Sequence, residues 1–332
     1  MPQPDLTKIA QLAKVSRSTV SRVVNEHPDV NPEVRKRILK IIKDTGYQPN
    51  LAARSLRNKQ TGIIGLVVCN TISGLFTDPY FPQLIQGVAQ ACNQFSKTLA
   101  LFLEGDPDTI FPRIVRRGQL DGILLQAGKA DDYMLKKMMA TDIPFVYIGR
   151  PTESRINFID VDNLAGGHLA TSHLIRLKRH RIASIFGPLD TTTGIDRKEG
   201  YLRALNERGI PYREELTAEC DFTELGGYQA MKDMLKHNPD AVFSASDTMA
   251  RGAIRAITEA GLSVPNDVAV VGFDDLSPAV TMSPLLTTIR QPITHVGARA
   301  VETLLDIIQY RSQPAQRVVL NVELVIRESC GG

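Results

Sequence analysis

Seven short apolar runs recur between residues 62 and 273, and they restrict the fold more than any other feature: GIIGLVV, TLALFL, DGILLQ, IPFVYIG, RIASIFG, AVFSAS and VAVVGF. Runs of this length with little polar alternation suit strands buried on both faces of a parallel sheet. The segments between them, such as Phe81–Ser96, Asn163–Leu177, Arg197–Arg208 and Asp247–Ala260, read as amphipathic helices. Strands alternating with helices through right-handed crossovers give a doubly wound α/β body.

A different unit precedes that body. In Thr7–Asn25, TKIAQLAKVSRSTVSRVVN, the residues Ile9, Leu12 and Ala13 repeat at helical spacing. Val15 breaks the stripe, and Val20, Val23 and Val24 begin a second one. Asp5 and Ser16 stand where a short side-chain oxygen caps the first and the second helix. Two short helices joined by so tight a turn form a helix-turn-helix. The polar face of the second helix carries Arg17, Ser18, Ser21 and Arg22. Arginine offers two hydrogen bonds to a guanine edge, and small hydroxyls reach phosphates or other base edges. On these residues alone, a solvated amphipathic helix in an unrelated bundle stands as the alternative. Asn31-Pro32-Glu33 then opens a third helix, with an apolar stripe of Val34, Ile38, Ile41 and Ile42 and with Gly46 to end it.

Charge separates this head from the rest. Residues 1–60 hold twelve Lys and Arg against five Asp and Glu, while residues 61–332 hold 27 against 31. A basic head on a mildly acidic body suits a nucleic-acid-binding module joined to one with another task. The 332 residues suffice for two or three domains. No apolar run approaches the roughly 18 residues of a membrane span, and the opening MPQPDLTK holds no apolar secretory segment, so the expected location is the cytoplasm, with no membrane partner. Cys69, Cys92, Cys220 and Cys330 are scattered without metal-ligand spacing and read as free thiols; no cofactor or metal is expected.

VSRSTVSRVVN followed by GYQPNLAARSLRNKQTGIIGLVV resembles the start of the lactose-repressor/galactose-repressor (LacI/GalR) family of bacterial transcription regulators, and the match runs colinearly to the last strand near Val325. The resemblance implies an N-terminal all-α helix-turn-helix headpiece over 1–48 and a hinge helix or linker over 49–60. It implies an α/β body over 61–328 like the periplasmic sugar-binding proteins, made of two doubly wound lobes. Lobe one takes about 61–160 plus 291–320 and lobe two about 163–288, with chain crossings near Asp160–Asn163, Leu286–Pro292 and Leu320. The implied DNA contacts are Ser16, Arg17, Ser18, Thr19, Ser21, Arg22 and Asn25 in the headpiece, and Ala53, Arg54, Leu56 and Arg57 in the hinge. Leu56 matches the family's wedge leucine, which opens a base step from the minor groove. The implied partners are a near-palindromic double-stranded operator, a small-molecule effector of sugar type, and a second copy of the chain. With no leucine heptads after the final strand, a homodimer is expected rather than a tetramer.

Ligands of doubly wound sheets sit beyond the carboxyl ends of the strands, which between two lobes means the cleft. Arg150 follows VYIG, Asp247 follows AVFSAS, Asp274 follows VAVVGF, Arg197 opens a helix after GPLDTTTGID, and Tyr80-Phe81 open the first helix of the body. By resemblance Arg197 is the arginine that grips effector, Asp274 the aspartate that accepts from sugar hydroxyls, and Phe222 the aromatic that stacks on a ring. Ser246-Asp247 matches a Ser-Asn-Asp-like element with serine in place of asparagine, and Gly149 stands where the family often has aspartate. Asp162 reads as a helix cap. VYIGRP and TTTGIDR look most like regulators of α-glucoside or maltose-type uptake. A nucleobase effector, or control by a protein partner, are the alternatives.

Catalytic patterns are missing: there is no H-E-x-x-H, G-x-S-x-G or G-x-G-x-x-G. GILLQAGKA departs from a phosphate-binding loop by one residue of spacing and by Ala130 in place of a hydroxyl. A regulator, not an enzyme, is expected.

Overall fold

The computed structural model describes residues 4–24, 27–47, 60–69, 72–103, 106–116, 119–126, 133–310 and 314–331. The chain divides into two compact units, Met1–Thr61 and Gly62–Gly332. Among the described residues no helix is long and apolar enough to cross a membrane.

The first unit holds helices Leu6–Ala13, Arg17–Val24 and Pro32–Thr45. Their starts are set by side chains that satisfy otherwise free N–H groups. Asp5 accepts from the Lys8 N–H at 2.8 Å, Ser16 from the Thr19 N–H at 3.1 Å, and Asn31 from the Glu33 N–H at 2.9 Å. Lys14, in the left-handed conformation, ends the first helix, and Gly46 ends the third. Ile9, Ala10, Ala13, Val20, Val23, Ile38 and Tyr47 form the buried core. The expected place of Leu12 in that core is corrected: it is 48% exposed, and Ala10 is buried instead. At 3.6 residues per turn Ile9, Ala10 and Ala13 fall on one stripe, and Leu12 lies to its side, facing solvent.

The second unit contains two six-stranded sheets. The chain first makes β1 (Ile63–Val68), β2 (Thr98–Leu103), β3 (Gly122–Gln126), β4 (Phe145–Ile148) and β5 (Phe158–Val161). It then makes β6 (Ile182–Phe186), β7 (Thr217–Glu219), β8 (Ala241–Ser244), β9 (Ala269–Asp274) and β10 (Thr287–Arg290), and closes with β11 (Arg317–Leu320) and β12 (Glu323–Val325). The first sheet runs β2-β1-β3-β4-β5-β11, all parallel, and the second β7-β6-β8-β9-β10-β12, parallel except for β12. The chain therefore passes between sheets three times, at Asp162, between Arg290 and Ile293, and between Leu320 and Glu323. The Asp162 N–H donates to the Leu320 carbonyl at 2.9 Å, tying two crossings side by side.

β1, β3, β6, β8 and β9 are buried almost throughout, as double-sided cover demands. β2 differs. It forms an edge of its sheet, and Leu101 is 44% exposed, so TLALFL is not a strand buried on both faces. Two helix starts also shift from the expectation. A short helix, Ile72–Thr77, precedes the one opened by Tyr80, and the helix holding Arg197 begins earlier, at Thr192, because Thr191 accepts from the Gly194 N–H and caps it there.

Reciprocal glycines bring the covering helices together. A methyl group on Gly167 would lie 2.3 Å from the Arg197 carbonyl oxygen, and one on Gly200 would lie 2.2 Å from that of Leu164. Gly227 and Gly252 face Met249 and Glu224 carbonyls in the same way, as Gly87 faces that of Thr294. At these crossings the helix backbones touch, and no side chain fits between them.

Candidate functional site

In the first unit the helix Arg17–Val24 buries Val20 and Val23 and turns Arg17, Ser18 and Arg22 to solvent, with Thr19 and Ser21 half-buried. Ser16 Oγ lies 2.7 Å from Ser18 Oγ and 2.9 Å from Thr19 Oγ1, so these hydroxyls form one capping cluster. The exposed face thus presents two flexible cations beside small hydroxyls, a surface suited to phosphates and base edges. Asn25, Ala53, Arg54, Leu56 and Arg57 lie outside the described residues.

In the second unit a cavity of about 150 Å³ opens where the carboxyl ends of both sheets meet. Tyr80, Phe81, Arg197, Phe222 and Asp274 line it, together with Asp78, Gln126, Asp160, Asn163, Thr191, Thr192, Thr193, Ser246 and Gln291. The first sheet and its helices supply Asp78, Tyr80 and Asp160; the second supplies Arg197, Phe222 and Asp274.

Arg197 is the centre of this arrangement and is buried. Its Nε donates to Asn163 Oδ1 at 2.9 Å, and its Nη1 donates to the Ala245 carbonyl at 2.5 Å and faces Asp274 Oδ1 at 3.4 Å. The guanidinium lies over the Phe273 ring. Asn163 Nδ2 in turn donates to Asp160 Oδ1 at 3.2 Å, and Gln291 Nε2 donates to Asp274 Oδ1 at 2.6 Å. Burial pushes the carboxyls of Asp160 and Asp274 up to about 7 despite the neighbouring guanidinium, and burial raises Asp78 as well. Two carboxyls held above the ordinary range by burial, beside a fixed cation and several amides, provide both donors and acceptors for a polyhydroxylated molecule. Phe222 adopts a left-handed backbone, and its ring covers Gly187 so closely that a methyl there would lie 2.1 Å from Cζ. That packing presents the aromatic to the cavity.

Two expected contacts are corrected. Arg150 does not line the cavity, although Gly149 does; its guanidinium makes a two-pronged ion pair with Asp196 at the start of the helix Thr192–Asn206. Asp247 is fully buried, accepting from Thr288 Oγ1 at 2.5 Å and from the Leu276 N–H at 2.7 Å. It joins the loops after β8 and β9, and Ser246 takes the cavity position and caps the following helix. Asp162 is the cap that its position suggested, accepting from the Ala165 N–H at 2.9 Å. Asp160, Asn163 and Gln291 were missed by sequence reasoning. They flank the first two chain crossings, and that placement was the available signal.

The comparisons with known proteins agree with this organisation. Residues 5–50 match the family described as bacterial regulatory proteins, lacI family, and residues 171–330 match the periplasmic binding protein-like domain. The HTH-type transcriptional regulator CelR of Thermobifida fusca is 37% identical over 334 residues, covering 98% of each chain. A solved complex of the transcriptional regulator CelR with cellobiose superposes with a TM-score of 0.79 at 35% identity, covering 98% of this chain and 99% of that one. The lac repressor dimer bound to operator and an anti-inducer superposes with a TM-score of 0.87 at 27% identity, again covering 98% and 99%. This chain belongs to the LacI family of bacterial regulatory proteins, which are transcriptional regulators and not enzymes.

Proposed function

We propose that this chain is a homodimeric repressor that reads a near-palindromic operator through Arg17, Ser18 and Arg22 and answers to a sugar in the cleft of its second unit. The observation that carries the effector reading is the ring of Arg197, Asp160, Asp274, Asn163 and Gln291 facing Phe222 across one cavity. Alternating donors and acceptors beside an aromatic face match a pyranose, whose hydroxyls do both and whose C–H face is apolar. The CelR complex with cellobiose supports a glucoside, as does the likeness of VYIGRP and TTTGIDR to regulators of α-glucoside uptake. Effector that draws the two sheets together changes the geometry of lobe one in the dimer and lowers operator affinity, a coupling carried by one two-state element.

The test has two arms. Melting of the full chain is followed with cellobiose, maltose, ribose and purine bases, since a ligand bound only to the folded state raises the melting temperature. The compound that responds is then titrated into a complex with operator DNA obtained by selection. A rise with a glucoside and release of DNA is the expected result. A response to purines alone replaces the sugar reading with a nucleobase one, and tighter DNA binding makes the effector a corepressor.

A further inference from the structure

We propose that the cleft excludes anions, so that its effector is an uncharged or amino-bearing sugar and not a sugar phosphate or sugar acid. This inference rests on the sugar reading above and narrows its chemical class.

The charge balance of the cavity wall carries the proposal. Asp78, Asp160 and Asp274 contribute three carboxyls, and among the described lining residues the cation is Arg197. Nε and Nη1 of that cation already donate to Asn163, Ala245 and Asp274, and the guanidinium lies over Phe273, so only part of its donor set remains for a ligand. Arg150, beside lining residue Gly149, is paired with Asp196. Burial leaves Asp160 and Asp274 partly protonated at neutral pH, yet with Asp78 their summed carboxyl charge still exceeds that of the single guanidinium, so an entering phosphate meets a net negative wall.

The helix ends that face the cavity do not reverse this balance. Helix N-termini attract anions through free N–H groups, and residues that open several helices line the cavity, but at each a side chain of this protein already takes one of those N–H groups. Asp78 Oδ1 accepts from the Tyr80 N–H at 3.0 Å, and Asp162 from the Ala165 N–H at 2.9 Å. Thr191 Oγ1 accepts from the Gly194 N–H at 3.0 Å and Ser246 Oγ from the Met249 N–H at 3.2 Å. Two of these four acceptors are carboxyls, so an anion at these helix ends meets acid oxygens beside the N–H groups that remain. A neutral sugar gains from the same arrangement, since carboxyl oxygens accept from its hydroxyls, and an ammonium group on a sugar gains more.

Matched compounds test the proposal on the full-length chain at neutral pH. Glucose, glucosamine, glucose 6-phosphate and gluconate are compared by thermal shift and calorimetry, as are maltose and cellobiose with their phosphorylated forms, and adenine with its nucleoside monophosphate. The expected result is a rise in melting temperature with neutral or amino members and none with their anionic partners at equal concentration. A phosphorylated or acidic member that binds as tightly as its neutral partner overturns the inference while leaving the sugar reading intact. A response to adenine but to no sugar removes the sugar reading and sustains the exclusion of anions. Silence across the whole panel overturns both. Asp78→Asn provides the second arm, since the amide keeps the acceptor for the Tyr80 N–H and removes a charge. It is expected to improve binding of the phosphorylated partner by about tenfold relative to the neutral one. An unchanged ratio counts against the charge argument.

Discussion

The guanidinium carbon of Arg197 lies 3.5 Å from the centroid of the Phe273 ring, so one residue of β9 supplies the platform for the cation at the centre of the cavity. Stacking sets the plane of the guanidinium, and Asn163, Ala245 and Asp274 then fix its rotation. Lysine keeps the charge but lacks the planar fork and cannot hold these acceptors together. Arg197→Lys is expected to weaken effector binding by at least about tenfold while leaving operator binding without effector unchanged. Calorimetry with the responding sugar and a DNA-binding titration separate the two, and an unchanged sugar affinity removes Arg197 from the site.

The contact between Gly167 and the Arg197 backbone places the same arginine from the other side. A methyl group 2.3 Å from a main-chain oxygen cannot be relieved by a rotamer change, so the helices Asn163–Arg176 and Thr192–Asn206 must separate. Gly167→Ala is expected to cost about 1–3 kcal/mol or more, read as a lower urea midpoint. Gly200→Ala forces the same two helices apart from the opposite partner, so the double variant should cost less than the sum of the singles. Strict additivity in the urea midpoints would show that the two glycines relax independently.

These contacts mark where the sequence stopped being legible. The caps at Asp5, Ser16, Asn31 and Asp162 are local, since each is answered within three residues by an N–H of its own helix, and a single sequence shows them. The central strands announce themselves by unbroken apolar runs. β2 reads the same way and is still an edge, because being an edge depends on which strand comes to lie beside it, a property of topology. Asp247 and Asp274 both follow apolar strands; one is sealed under Thr288 and Leu276 and the other faces the cavity, a difference set by loops far apart in sequence. Asp160 and Gln291 belong to ordinary-looking segments. Their role emerges only when two sheets are placed end to end and the chain is seen to cross beside them.

Asp160 offers a measurement by pH. Its carboxyl is raised from the ordinary 3.8 to about 7, with burial the main cause, Asp196 adding to it and Arg197 and Arg150 opposing it. The folded chain therefore holds a proton between about pH 4 and 7 that the unfolded chain has released. Stability from this group is present below about pH 4 and is lost as the pH rises toward 7. Asp160→Asn removes the ionisation and keeps an acceptor for Asn163. The melting temperature of the variant minus that of the parent is expected to grow from pH 4.5 to pH 7 and to level off above it. A difference that stays flat across this range would show that Asp160 keeps an ordinary carboxyl.

Arg22 tests the other unit. It is exposed on the helix Arg17–Val24, while Val20 and Val23 carry the packing, so its removal leaves the headpiece core in place. A bidentate arginine–guanine contact is worth roughly 1–3 kcal/mol of discrimination, so Arg22→Ala is expected to weaken operator binding by about 5- to 150-fold at fixed salt. The loss should fall on the operator and leave random DNA little changed, with the salt dependence of binding preserved. A phosphate contact behaves in the opposite way: affinity drops equally for every sequence, and the salt slope falls by about one. Titrations of operator and random duplex at two salt concentrations distinguish the two behaviours, and the second would move Arg22 from reading bases to positioning the helix on the backbone.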